Sequence, residues 1–417
     1  MTKNKNDYIL STILEINWEG IDNSQMEKNE KTELELTILM PCLNEAETLE
    51  VCIKKALKSL EENKIKGEVL VADNGSTDGS QDIATKAGAR LIHVPKKGYG
   101  SALIEGTKKA YGKYIIMGDA DDSYDFSNIM PYIDKLREGY ELVMGNRFKG
   151  GIEKGAMPWS HKYIGTPVIS FLGRLFYKSK IGDFNCGMRG YNKESILNLD
   201  LKCTGMEYAS EMIVQANLNG IKITEIPTTL KKDGRSRPPH LKSFSDGWRH
   251  LKFLLLYSPK WLFLIPGMIL MLIGLIGSIA FVFDDLHISS VVLGIHSRLY
   301  LGGMTIVGLQ MIIFSLFAKV YAVNSGMHPR EDKITNFLKK ITLEKGLIAG
   351  FILSIIGIAL TIYAIVIWKN AQWGNLNPLD VMPITIPAVC LIIIGVQMIF
   401  ASFFLGILNI EYKKTNN

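Results

Sequence analysis

Cysteine is scarce and scattered in this chain of 417 residues: Cys42, Cys52, Cys186, Cys203 and Cys390, with no Cys-x-x-Cys. That spacing suggests neither a zinc site nor a disulfide framework, and reduced structural thiols in a cytoplasmic domain are expected. The N-terminus lacks the apolar core of a signal peptide, so nothing is expected to be exported ahead of the first membrane-length run. Neither the P-loop nor the dinucleotide glycine pattern occurs, which removes two common phosphate-binding devices. No nucleic-acid partner is expected. Charge is missing altogether from Trp261–Phe283, Leu299–Ala318, Gly346–Trp368 and Val381–Ile410, although 21% of all residues are charged.

Each of those windows can cross a hydrocarbon core of about 30 Å as a helix. A buried soluble helix of that length would show a polar face. Four spans are therefore expected. The connection 319–345 carries Lys319, Arg330, Lys333, Lys339, Lys340 and Lys345, whereas 284–298 and 369–380 carry one basic residue each, Arg298 and Lys369. The positive-inside rule puts that connection, the N-terminal region and the Lys413-Lys414 tail in the cytoplasm. The spans form two hairpins, 261–318 and 346–410, and they read as a duplication. Gly267-Met-Ile-Leu-Met-Leu-Ile-Gly274 matches Gly350-Phe-Ile-Leu-Ser-Ile-Ile-Gly357, and Gly308-Leu-Gln-Met matches Gly395-Val-Gln-Met. Tandem hairpins of one orientation follow.

Ahead of the spans, 1–35 is a polar, acid-rich arm, and 36–230 alternates short apolar runs with helical windows. The runs are Thr37–Met40, Glu68–Ala72, Arg90–Val94, Tyr114–Met117 and Glu141–Met144; the helical windows are Glu45–Glu62, Ser80–Ala87 and Tyr99–Ala110. This βαβ rhythm predicts an α/β domain with a mostly parallel sheet. Residues 231–260 hold eight Lys/Arg against Asp233 and Asp246. They include an amphipathic window, Leu241–Tyr257, with Phe244, Trp248, Leu251 and Leu255 near one face, which reads as an interfacial helix under a bilayer. A second such helix is expected within 328–343, and 411–417 forms a cytoplasmic tail.

The most informative residues are Asp119 and Asp121. The apolar run Tyr114-Ile115-Ile116-Met117 ends abruptly in Gly118-Asp119-Ala120-Asp121-Asp122. Carboxylates at the C-terminal mouth of a parallel strand sit where open α/β sheets bind ligands. Two of them at alternate positions can converge on one hard cation that also holds a diphosphate. The competing reading is an acidic loop that caps the next helix. Other strand ends carry Pro41-Cys-Leu-Asn44-Glu45, Asp73-Asn-Gly-Ser-Thr-Asp78 and a flexible cationic loop, Lys96-Lys97-Gly98-Tyr99-Gly100.

In this order the clusters resemble family-2 glycosyltransferases with a nucleotide-sugar-binding, Rossmann-like fold, and most closely the polyprenyl-phosphate sugar synthases, over roughly 36–260. The resemblance implies that Pro41, Asn44, Glu45, Asp73 and Asp78 line the nucleoside pocket; Lys97, from the cationic loop, is a further candidate for binding the nucleotide sugar. The resemblance also implies that Asp119 and Asp121 hold Mg²⁺ or Mn²⁺ on the donor diphosphate. Gly145-Asn-Arg147-Phe, Cys186-Gly-Met-Arg189 and Lys232-Asp-Gly-Arg235-Ser-Arg237 resemble segments that receive the lipid phosphate in that family. Arg147 and Arg189 are accordingly candidates for catalysis, and Lys232, Arg235 and Arg237 for the acceptor. Surface ion pairing is the other reading of Arg147 and Arg189. Two departures stand out: Asn74 replaces an Asp of the base-binding turn, and Ser123 replaces a Gln after the metal carboxylates.

A phosphomonoester is mostly dianionic at neutral pH and needs no general base to attack an anomeric carbon. The expected reaction is inverting hexose transfer from UDP-glucose or GDP-mannose to dolichyl or undecaprenyl phosphate at the cytoplasmic membrane face. Glu207 and Glu211 would serve as bases only for a hydroxyl acceptor; otherwise one shapes the acceptor pocket and one is structural. His93 and His240 read as structural. A processive polysaccharide synthase is disfavoured because Gln-x-x-Arg-Trp is missing. A non-catalytic scaffold or lipid-carrier translocation partner is the reading from a different class, and intact Asp119, Asp121, Arg147 and Arg189 argue against it. The spans also leave room for a homo-oligomer.

Overall fold

The computed structural model describes residues 34–236, 243–280, 286–288, 291–329 and 342–408. Arg237, His240, nearly all of the N-terminal arm, most of the proposed second interfacial helix and the tail lie outside them. The chain divides into two compact units, 1–250 and 251–417.

The first unit is built on a seven-stranded sheet. Its elements begin β1 (Leu36–Cys42), α1 (Leu49–Glu62), β2 (Gly67–Asp73), α2 (Ser80–Lys86), β3 (Arg90–His93), α3 (Tyr99–Lys109) and β4 (Tyr114–Met117). They continue with α4 (Met130–Arg137), β5 (Leu142–Asn146), a single turn α5 (Arg147–Gly150), a π-helical turn His161–Gly165 and α6 (Thr166–Tyr177). The unit closes with β6 (Arg189–Asn192), α7 (Lys193–Leu197), α8 (Tyr208–Leu218) and β7 (Ile223–Pro227). The strand order is β3-β2-β1-β4-β6-β5-β7. Every pairing is parallel except those of β6, which runs antiparallel to β4 and β5. All five strands expected from the apolar runs are present; β6 and β7 were not anticipated. Buried Leu36, Ile38 and Met40 of β1, Val69 and Val71 of β2 and Ile116 of β4 meet Cys52, Ile53 and Ala56 of α1 in one core. Cys42, Cys52 and Cys186 are free thiols within it, and burial pushes them up to about 11, 12 and 12. They are inert packing residues at neutral pH.

From β1 the chain steps outward through β2 to β3, then returns to lay β4 on the other side of β1. Such a reversal opens a crevice at the strand C-termini, the usual ligand site of open α/β sheets. The loops after β1 and β4 flank it.

Helix α9 (Ser243–Leu256) runs across the boundary between the units, in the place of the expected interfacial helix. The second unit then has a π-helical turn, Lys260–Leu264, followed by α10 (Ile265–Ala280), and a short antiparallel ribbon β8–β9 (Leu286–Ile288, Val291–Leu293). Three long helices complete it: α11 (Ile295–Asn324), α12 (Leu343–Asn370) and α13 (Pro378–Leu408). Four helices, 260–280, 295–324, 343–370 and 378–408, are long and apolar enough to cross a membrane.

The repeat seen in the sequence is also a repeat of packing. A Cβ on Gly267 of α10 would lie 2.9 Å from the Gly308 carbonyl oxygen of α11, and one on Gly350 of α12 would lie 2.7 Å from that of Gly395 in α13. One turn pair further on, a Cβ on Gly274 would lie 2.6 Å from the Leu301 carbonyl oxygen and one on Gly357 2.8 Å from that of Ala388. The partners sit seven residues before Gly308 and Gly395, so both hairpins cross at the same positions. Close backbone contact at small residues is how helices pack where surrounding lipid is as apolar as the side chains.

Candidate active site

Asp119 and Asp121 follow β4 at the crevice. The Tyr99 hydroxyl donates to Asp119 Oδ1 at 3.0 Å, and Asp119 Oδ2 accepts no hydrogen bond from the described residues. Burial, and then the Asp121 carboxylate, raise the Asp119 pKa. Asp121 Oδ1 accepts from Ser123 N and Oγ at 3.1 and 2.6 Å, so Ser123 orients the carboxylate. Asp122 has φ +60° and turns away to pair with Lys55 at 2.7 Å.

Gly187 shows why the pocket needs a residue without a side chain. A Cβ there would lie 2.5 Å from Asp119 Oδ2 and 3.0 Å from the Tyr124 ring. Because β6 is antiparallel, Arg189 pairs with Met117, and the loop before β6 is carried to the mouth of β4.

A second loop, 231–236, folds over the carboxylates. Lys231 N donates to the Ser123 carbonyl at 2.9 Å and Gly234 N to the Asp121 carbonyl at 3.0 Å. Arg235 then bridges Asp121 Oδ2 at 2.7 Å, Glu45 Oε1 at 3.1 Å and Asp233 Oδ2 at 3.1 Å. Arg235 was expected at the acceptor phosphate; here its charge is shared among three carboxylates. Lys232 is exposed and forms no ion pair among the described residues.

Of the residues that the resemblance assigns to the donor, three line one cavity. Asn44, Glu45, Asp78 and Arg235 line a cavity of about 320 Å³ with Ala46, Glu47 and Thr77. Asn44 Oδ1 accepts from Thr77 N at 2.8 Å, and Asp78 accepts from Ala46 N and Ser80. Pro41 lies in β1, paired with Ala72. Asp73 accepts from Gly75 N, Ser76 N and Gln81. Burial works against its charge, but these hydrogen bonds outweigh it and its pKa is lowered.

Asn74 has a structural explanation. Its Nδ2 donates to the Val94 and Lys96 carbonyls at 3.0 and 2.8 Å, and its Oδ1 accepts from Gly98 N at 2.7 Å. Lys97 Nζ donates to the Asn74 carbonyl at 2.7 Å, so the cationic loop is clasped to the end of β2. A carboxylate cannot donate to two carbonyls. Asn74→Asp is therefore expected to cost about 2–3 kcal/mol locally, read as lost amide-exchange protection over residues 95–100; unchanged protection would contradict the clasp.

Neither Arg147 nor Arg189 is a surface ion pair. Arg147 is 8% exposed and grips Asp183 with Nε and Nη2 at 2.6 and 2.8 Å, leaving Nη1 without a partner among the described residues. Arg189 is 0% exposed and donates to the carbonyls of Cys186, Ala209 and Phe184 at 2.9, 2.7 and 3.1 Å. The resemblance assigns it to the lipid phosphate; here its hydrogen-bond partners among the described residues are all main-chain carbonyls and the Met212 sulfur. It lies beneath the site and ties the loop before β6 to α8.

Glu211 accepts from Lys202 N and Cys203 N and is structural. Glu207 keeps a buried Oε2 with no hydrogen-bond partner. His93 is exposed, 3.7 Å from Asp73. His250, missed in the sequence, is buried with Nδ1 2.8 Å from Ser210 Oγ. Burial lowers it to about 4. The unfolded chain takes up this proton near pH 6.5 and the folded protein only near pH 4, so the contribution is complete above 6.5 and lost as pH falls toward 4. The loss should approach about 3 kcal/mol. It would be read as a fall in unfolding midpoint between pH 7 and 5 that His250→Asn largely removes.

The donor set suits a divalent cation. Asp119 Oδ2 is open, its carboxyl is raised first by burial and then by the Asp121 charge, and Asp121 holds Arg235. Among the described residues no three His, Cys, Asp or Glu side chains form a cage. Magnesium is commonly bound by one or two carboxylates plus substrate phosphates rather than by an all-protein cage.

A mostly parallel sheet with paired carboxylates at its switch point stands in one chain with four helices long and apolar enough to cross a membrane. The sequence model for glycosyl transferase family 2 matches residues 37–199, and that for the family-2 C-terminal transmembrane region matches 316–409. The low-salt glycan biosynthesis hexosyltransferase Agl6 of Haloferax volcanii is 34% identical over 373 residues, spanning 89% of this chain and 88% of its own length. A dolichyl-phosphate hexose transferase of the same organism is 27% identical over 183 residues, 44% of this chain and 77% of that protein. The chain belongs to glycosyltransferase family 2. Among solved structures, glucosyl-3-phosphoglycerate synthase from Mycobacterium tuberculosis with Mg²⁺ and UDP aligns with TM-score 0.40 and 20% identity, over 52% of this chain and 77% of the other.

Proposed function

We propose that this glycosyltransferase moves a hexose from UDP-glucose or GDP-mannose to a polyprenyl phosphate (dolichyl or undecaprenyl), at the cytoplasmic face of the membrane, with inversion. The observation that carries the reading is the Asp119/Asp121 pair at the β1–β4 crevice in a chain with four membrane-length helices. Similarity to proteins named as hexosyltransferases, one of them a dolichyl-phosphate hexose transferase, supports it. Asp119 and Asp121 would hold Mg²⁺ or Mn²⁺, which would screen the donor diphosphate and stabilise the departing nucleoside diphosphate.

The chain's own residues do the rest. Asn44, Glu45, Asp73 and Asp78 shape the nucleoside side, and the Asn74 clasp keeps Lys97 near the phosphates. Arg147 offers its unused Nη1, and Lys232 its ammonium, to the acceptor phosphate. A guanidinium suits phosphate as a fork and an ammonium as a point charge. Arg235, held by Asp121, Glu45 and Asp233, would add its charge beside the same acceptor. Two anionic reactants are thereby held together, and alignment with charge screening is what such a displacement needs.

The test is transfer from a panel of radiolabelled UDP- and GDP-sugars to polyprenyl phosphate by detergent-solubilised full-length protein. Labelled lipid that vanishes with chelator is the expected result. No labelled lipid from any donor, with folded protein and metal supplied, would reject the acceptor.

A further inference from the structure

The connection between β5 and β6 contains a feature that sugar transfer does not use. Along the π-helical turn and α6, Trp159, Tyr163, Ile164, Val168, Phe171 and Leu175 are between 41 and 67% exposed. At ~100° per residue, Ile164, Val168, Phe171 and Leu175 fall within an arc of roughly 60°. Thr166, Ile169, Ser170 and Gly173 are buried on the opposite side. The exposed stripe is therefore a continuous apolar face presented outward by the catalytic unit. Faces of that kind on soluble surfaces mark interaction sites.

The charge around it indicates what covers it. From Pro158 to Lys180 there are four cations, Lys162, Arg174, Lys178 and Lys180, and no Asp or Glu. Lys162 Nζ lies 5.6 Å from the Tyr163 ring centre, and Trp159 and Tyr163 rings are 5.7 Å apart at the start of the stripe. Apolar and aromatic side chains flanked by Lys and Arg, without acids, match the boundary between acyl chains and anionic headgroups. The same polypeptide carries four membrane-length helices, so such a surface is held close at all times.

We infer that α6 is a membrane-docking helix that lies on an anionic lipid surface through this stripe. Its buried side gives the contact a consequence. Ser170 Oγ accepts from Phe184 N at 3.1 Å, and Gly173 packs against the Phe184 ring. Phe184 is next to Asp183, which grips Arg147, and its carbonyl accepts from Arg189. Lipid contact on one side of α6 therefore sets the position of the loop that holds both arginines. The inference stands whichever sugar and acceptor the enzyme uses.

The test places a nitroxide at Phe171→Cys or Leu175→Cys in full-length protein with Cys203 and Cys390 replaced by alanine. The protein is reconstituted into vesicles of neutral lipid with phosphatidylglycerol. Glu62→Cys on α1 serves as the water-exposed control. The expected result is an oxygen-to-nickel-complex collision ratio at both stripe positions at least about fivefold above the control, as for side chains buried several ångströms below the headgroups. A control-like ratio at 171 and 175 would overturn the inference. So would protection from both reagents, which would mean that protein, a second copy or another partner, covers the stripe.

Discussion

Asp121→Asn is expected to lower sugar transfer by roughly two to three orders of magnitude, as the loss of a preorganised charge group at a reacting centre does. The carboxylate has two tasks. It accepts from Ser123 through one oxygen and holds Arg235 through the other. An amide of the same shape keeps the first contact in part, but it faces the Arg235 guanidinium with half of a dipole and cannot neutralise a divalent cation. Arg235 retains Glu45 and Asp233, so the fold should lose only about 1–2 kcal/mol. The decisive comparison is kcat/KM against thermal midpoint at equal metal concentration. A large fall in the first with a small change in the second is expected. Activity within about threefold of the parent protein would remove Asp121 from the chemistry.

Arg189→Met should act through stability first. The guanidinium is wholly enclosed, and three of its nitrogens satisfy main-chain carbonyls from the loop before β6 and from α8. Methionine fills part of the volume and leaves those carbonyls without donors. The expected cost is about 3–5 kcal/mol, the range for removing one partner of a buried charged interaction. In a unit of this size that lowers the thermal midpoint by about 10 °C. Arg189→Lys should not restore it, because one ammonium cannot span the positions reached by a rigid fork. A midpoint unchanged in Arg189→Met would show that the loop is held by something else.

What could be read in advance followed the physics of each signal. The β1 to β5 runs are short, apolar and bounded by turn residues, and the charge-free windows admit little but membrane-length helices. The repeated glycines were visible because close packing demands the same residue twice. Strand β6 was missed because Arg189-Gly-Tyr-Asn carries no apolar run; its place depends on pairing with β4 and β5. The roles of Arg147 and Arg189 could not be separated in sequence, since each stands two residues after a glycine, Gly145 or Gly187. Burial and an Asp183 thirty-six residues away distinguish them. The apolar stripe of α6 was legible at positions 164, 168, 171 and 175, had the 3.6-residue period been sought between β5 and β6. Arg235 shows the opposite limit, for Asp121 and Glu45 reach it from loops that only the folded sheet brings together, while Asp233 lies two residues away in its own loop.

The matching glycine crossings of α10–α11 and α12–α13 also bear on how such a chain can change length. A hairpin returns the polypeptide to the side from which it started, and here each hairpin is closed by its own internal contacts. A whole unit could be gained or lost without inverting the protein in the bilayer. A single helix could not be removed so simply, because everything after it would exit on the wrong side. The two hairpins also touch, with the Phe317 ring of α11 4.7 Å from that of Phe404 in α13, so each is a unit of topology rather than of packing.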